Sequence, residues 1–175
     1  MALLKRALEI QPQYADAASA LSELELEAGH PDEAARYIVP FFQQFSGLQS
    51  ARTLMSKLYL SRALNAKEQG DFAEVERICR EGLASVPESA ELHLLLGIRF
   101  ARENRLDDAL KELESSYKFQ SDDPLVVLSL GKLYHQLGRE ADARRLLTEG
   151  AAAAKRSGDK EAVERFQQLL EKLSL

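Results

Sequence analysis

Cysteine is almost absent from this chain, with Cys79 the only one in 175 residues. A lone cysteine excludes an internal disulfide and any zinc cluster built on cysteine ligands, and it leans toward a reducing, cytoplasmic compartment. Histidine is scarce too. His30, His93 and His135 are the three present, and none stands three or four residues from another or from the cysteine, so metal-ligand spacing is missing. The chain has no G-x-x-x-x-G-K-[ST], no G-x-G-x-x-G and no G-x-S-x-G, which removes the common phosphate cradles and the nucleophile elbow. Carboxylate pairs such as Glu23/Glu27 and Glu112/Glu114 fall on solvated helix faces. The expectation is therefore a non-enzyme with no cofactor and no metal. No apolar run reaches the ~18 residues of a membrane span, and the first residues lack a secretory pattern. Positive charge is not in excess: 23 Lys and Arg against 28 Asp and Glu leave a net charge of −5. Neutralising phosphates needs a concentrated basic stripe, so nucleic acid and anionic membrane surfaces are not expected partners.

Apolar content of 45% with 29% charged residues marks a globular rather than a disordered chain, of a length that suits one domain. Two stretches repeat at an offset of 34 residues. His93, Leu96, Gly97, Phe100, Asn104, Ala109 and Leu113 correspond to Val127, Leu130, Gly131, Tyr134, Gly138, Ala143 and Leu147. Leu94/Leu128, Arg105/Arg139 and Asp108/Asp142 match at the same offset. A fixed period of this length means stacked helical hairpins, none of which can bury its apolar face alone. One period before Asn104 stands Gly70, with Pro87 closing its unit. The turn glycine before that, Gly29, lies 41 residues back, an excess of seven. Seven residues are nearly two helical turns, which a helix absorbs without rotating its buried face. This predicts one long helix from about Leu48 to Lys67, with Ala51, Leu54, Met55, Leu58, Tyr59 and Ala63 on its buried side.

The turns agree. Gly29-His30-Pro31 ends one helix and starts the next. Gly70-Asp71 followed by Glu74 reads as a glycine cap and a capping box, and Asp123-Pro124 as an N-cap. No period-two alternation occurs, so the class is all-α. Pro40 falls inside a second helix and should kink or stop it near Val39. The aromatics after it, Phe41, Phe42 and Phe45, are either local core or an outer binding bulge. Cys79 reads as a buried small hydrophobe and His93 as a packed interhelical histidine.

The repeated residues fit W-x2-L-G-x2-Y followed by A-x3-F, and the chain resembles the tetratricopeptide repeat (TPR) family. The resemblance implies a right-handed superhelical solenoid of helix-turn-helix repeats with a C-terminal capping helix. It divides a single domain, 1–175, into a half-repeat (1–14), repeats at 15–48, 49–89, 90–123 and 124–157, and a cap (158–175). In the opening half-repeat, residues 2–12 resemble the end of a second helix closed by Pro12, and the expectation is a fragment of a longer TPR-containing protein. After Gly158, with Asp159 as N-cap, Ala162, Val163, Phe166, Leu169, Leu170 and Leu173 share one side, as a cap helix needs. The first two units depart from the pattern, with Ser22, Glu25, Ala63, Ala66, Val75 and Cys79 at signature slots. Glu25 and Ala66 replace an aromatic and should loosen the helix contact there.

In this family ligands lie in a concave groove lined by the first helices. Carried over residue by residue, the expected partner-binding positions are Lys57, Leu60, Leu64, Leu94, Ile98, Arg102, Leu128, Lys132 and His135. Basic and asparagine residues that clamp a C-terminal carboxylate or an extended peptide are replaced by Leu94, Leu95, Ile98 and Leu128, and by Ala20, Ser61 and Ser129. What remains is an apolar strip edged by Lys57, Lys67, Arg102 and Lys132, suited to an apolar or amphipathic helix bearing some acidic residues. The implied function is a protein-interaction scaffold or adaptor. Open beside it stand a regulatory or substrate-presenting arm of a larger enzyme, and a self-association module forming a homodimer.

Overall fold

The computed structural model describes residues 1–11 and 14–173, so Pro12 lies outside the described residues. These contain ten α-helices and no strand: α1 (Ala2–Ile10), α2 (Ala15–Glu27), α3 (Pro31–Phe45), α4 (Gln49–Glu68), α5 (Phe72–Ser85), α6 (Ala90–Arg102), α7 (Leu106–Phe119), α8 (Pro124–Gln136), α9 (Glu140–Ser157) and α10 (Lys160–Lys172). The chain forms two compact units, Met1–Leu92 and His93–Leu175, divided inside α6.

Helix boundaries follow from one recurrent turn. Gly29, Gly70, Asn104, Gly138 and Gly158 all take positive φ, between 59° and 79°. After each, the next amide donates to the carbonyl five residues back. These bonds run from His30 to Glu25, Asp71 to Ala66, Arg105 to Phe100, Arg139 to Tyr134 and Asp159 to Ala154, all at 2.8–3.0 Å. This satisfies carbonyls that the helix end would orphan. Asp71, Asp123 and Asp159 then cap the following helices, accepting from the amides of Glu74, Leu125 and Ala162. The capping box at Asp71 is only half made. The Glu74 carboxylate turns to Arg77, and the Asp71 amide is already committed to Ala66. The Arg77 guanidinium holds the Glu74 carboxyl below its ordinary pKa.

In the first unit, α4 is 20 residues long against 13 for α2, so it carries seven extra residues, as the register break requires. The added turns are core. Ala51, Leu54, Met55 and Leu58 bury against Ile38 and Phe41 of α3 and against Val86 beyond α5, with Phe42 and Phe45 packed on the same cluster. Phe41 and Phe45 lie 5.3 Å apart, ring centre to ring centre. The Phe41–Phe45 aromatics are therefore core filling, not an outer binding bulge. Arg52 pairs with Glu88, and the Ser56 and Ser89 hydroxyls meet at 2.5 Å, which ties the extension to the turn before α6.

Helix α3 runs through Pro40 to Phe45, so of the two expected outcomes, a kink or a stop near Val39, the stop does not occur. Pro40 and Arg36 both face solvent, so the Arg36 carbonyl that loses its amide partner is left to water. Proline on the outer face also bends a helix around the core rather than away from it. Glu25, in an aromatic slot, is buried between the Lys5 ammonium at 3.7 Å and His30 Nδ1 at 3.3 Å, so charge closes the space an aromatic ring would fill. Cys79 is fully buried.

In the second unit two glycines let helices touch. A Cβ on Gly97 would lie 2.6 Å from Leu113 Cγ, and one on Gly131 would lie 2.6 Å from Leu147 Cδ2. Both leucines are buried, each burial stabilising by roughly 1.5–3 kcal/mol. The same spacing brings Arg105 over Phe100 at 4.1 Å and Arg139 over Tyr134 at 4.2 Å. Their guanidiniums also pair with Asp108 and Asp142. Burial, then the nearby Glu114 carboxylate, raises the Tyr134 phenol above its ordinary pKa. His93 packs between helices, its Nδ1 2.6 Å from Glu112 Oε2 and its ring stacked on Phe119. Helix α10 closes this unit through Phe166, which is buried and fills the space a side chain at Gly150 would take.

Candidate interaction grooves

Helices α2 and α4 pack side by side and leave an open groove of about 410 Å³. From α4 it takes Lys57, Leu60, Ser61, Leu64, Asn65 and Glu68, a stripe at alternating three- and four-residue spacing; from α2 it takes Glu23, Leu26 and Glu27. That spacing places each set on one helix face. The floor is leucine. Leu26 and Leu60 are half-buried and Leu64 is 39% exposed.

A smaller groove of about 270 Å³ lies between α8 and α10 in the second unit. Leu125, Leu128 and Leu169 form its apolar part, and Lys132, Arg165 and Lys172 its charged rim.

The nine expected positions therefore separate. Lys57, Leu60 and Leu64 share the α2–α4 groove, and Leu128 and Lys132 the α8–α10 groove. Leu94 is 9% exposed and Leu128 5%, so both are mainly packing residues, and Ile98 is half-buried. Arg102 reaches solvent but lines neither groove. His135 is exposed and held at the α8–α9 turn, with Nδ1 2.7 Å from Glu140 Oε1. Sequence reasoning missed what α10 adds, Arg165 and Lys172, and missed that Glu68 joins Glu23 and Glu27 at the edge of the first groove. The 3/4 spacing from Lys57 to Glu68 carried that signal for α4.

Among the described residues no three His, Cys, Asp or Glu side chains are grouped to hold a metal, and no helix is long and apolar enough to cross a membrane. The grooves can bury apolar side chains and pair charges.

Helical hairpins joined by left-handed turns, with small residues at the helix contacts and an open groove between first helices, define an all-α repeat protein. The fold is the one seen in tetratricopeptide-repeat proteins. No family model matches the chain. It is 30% identical over 102 residues to a TPR repeat-containing protein of Pseudomonas aeruginosa, covering 58% of this chain and 17% of that relative. The chain thus spans about a sixth of that curated relative's length. Among solved structures, a thermophilic TPR protein of Thermus thermophilus superposes with a TM-score of 0.57 at 21% identity, covering 97% of this chain and 88% of that one. MamA gives 0.60 at 14% identity over 89% and 87%. Pseudomonas aeruginosa pilF gives 0.55 at 20% identity over 97% and 81%. At these identities the likeness is one of fold.

Proposed function

We propose that this chain is a non-catalytic protein-interaction scaffold that takes an apolar or amphipathic helical segment of a partner in the α2–α4 groove. The observation that carries the reading is the row of incompletely buried leucines, Leu26, Leu60 and Leu64, along an open channel between two helices. A single exposed leucine is ordinary on a protein surface, but aligned leucines in a concavity are what a helix-in-groove partner buries at its i, i+3, i+4 and i+7 positions. Each leucine covered adds roughly 25 cal/mol per Å² of apolar area removed from water. Leu94 and Leu128 enter this reading as supports for the helices, since their side chains are already covered.

The test is titration of a synthetic amphipathic helix, with a leucine stripe and glutamine on its remaining faces, into the intact chain and into a Leu60→Glu, Leu64→Glu variant. Both positions retain solvent access, so the variant should keep its far-ultraviolet dichroism and lose at least tenfold in affinity. Unchanged affinity in the folded variant contradicts the assignment.

A further inference from the structure

We infer that the α2–α4 groove selects a cationic partner, an amphipathic helix whose leucine stripe ends in a turn of Lys or Arg; this rests on the groove being the docking site proposed above. Four charged side chains edge the channel: the carboxylates Glu23, Glu27 and Glu68 against one ammonium, Lys57. All four are exposed, and none takes part in an ion pair among the described residues. Other acids of the same unit are matched inside the chain, Glu25 by Lys5, Asp32 by Arg62 and Glu88 by Arg52. Glu23, Glu27 and Glu68 have no such cation among the described residues; Asp16, Glu33, Asp71 and Glu91 of the unit have none either, but only the first three edge this channel.

Their placement on the helices sharpens the point. Glu27 is the last residue of α2 and Glu68 the last residue of α4. A helix C-terminus carries partial negative charge, so acids belong at the opposite end. The last turn of α2 holds no basic residue to offset this, while α4 has Lys67. Two carboxylates and two helix C-termini thus concentrate negative potential at one end of the channel. Lys57 lies eleven residues earlier on α4, about 16 Å away along the helix axis at ~1.5 Å per residue. The groove is electrically polar along its length, and a helix with a basic first turn matches it. Its Lys or Arg side chains and the positive end of its dipole meet Glu27 and Glu68, and its leucines lie over Leu26, Leu60 and Leu64. This reverses the charge expected from the sequence, where the lysines at the strip's edges suggested an acidic partner.

Three peptides of about 18 residues test the inference, long enough to span the stripe. They share one leucine stripe and carry three Lys, three Gln or three Glu in the first turn. Each is titrated into the intact chain and into a Glu27→Gln, Glu68→Gln variant at low and at physiological salt. The expected result is binding in the order Lys, Gln, Glu. Lys should bind roughly tenfold more tightly than Glu at low salt, the advantage shrinking as salt rises. In the variant the Gln peptide keeps its affinity and the three converge. Equal affinities for all three peptides on the intact chain overturn the charge selection while leaving the groove reading intact. A preference that survives unchanged in the variant overturns it as well, by placing the selecting charge elsewhere. Absence of binding by any peptide overturns the groove reading and the inference together.

Discussion

At the scale of single residues, glycine does two different jobs in this chain, and they respond oppositely to substitution. Gly29 is needed for its backbone, with φ 77° and open space around any added Cβ. Gly97 is needed for its missing side chain, since a Cβ there would meet the Leu113 side chain at 2.6 Å and the Leu113 backbone nitrogen at 3.2 Å. Gly29→Ala should cost about 1–2 kcal/mol through the left-handed conformation, and Gly29→Asn less, because asparagine tolerates that region and already occupies it at Asn104. Gly97→Ala should cost roughly 1–3 kcal/mol through overpacking, and Gly97→Asn more. Urea unfolding of the four variants reads the order directly, and asparagine being the milder change at both positions would contradict it. The 34-residue match of Gly97 with Gly131 exposed the packing role in the sequence, and the spacing of Gly70, Asn104 and Gly138 exposed the turn role. Charge partners were not legible there. Arg52 with Glu88 and Arg62 with Asp32 join residues 36 and 30 apart through packing that no local pattern records.

At the scale of elements, helix existence and helix length followed from periodicity. The seven-residue excess before Gly70 became seven extra residues in α4, since two added turns keep the apolar face in phase. Pro40 shows what periodicity left open, a kink or a stop, and the helix continues. The cost of proline inside a helix depends on whether the orphaned carbonyl is wet, and burial is a tertiary property. Helix α10 shows the cap as a docked element that buries Ala162, Phe166 and Leu169, with Phe166 in the space over Gly150. Phe166→Ala should destabilise that docking by about 3–5 kcal/mol. Amide exchange should then rise across α10 while the α8–α9 pair stays protected. Loss of protection across the whole second unit at once would show that α10 is integral to it rather than a cap.

At the scale of the whole molecule, a net charge of −5 conceals two grooves of opposite character. The α2–α4 channel has three carboxylates and one ammonium at its edge, and the α8–α10 channel has three cations and no acid. Leucines at helical spacing made the Leu60–Leu64 part of the α2–α4 lining stand out in the sequence. The sequence did not make the full charge of each groove legible, because a rim is assembled from neighbouring helices: Glu68 of α4 joins Glu23 and Glu27 of α2, and Arg165 and Lys172 of α10 join Lys132 of α8. It also could not separate Leu94 and Leu128, which are packed, from Leu60, which retains access, since the three stand one period apart in the same slot. Backbone amide shift mapping of the isotope-labelled chain with the lysine-turn peptide tests the central claim most directly. The account predicts saturable shifts concentrated in residues 23–27 and 57–68 and small shifts elsewhere. Shifts centred on α8 and α10, or on outer faces away from the α2–α4 channel, would contradict it.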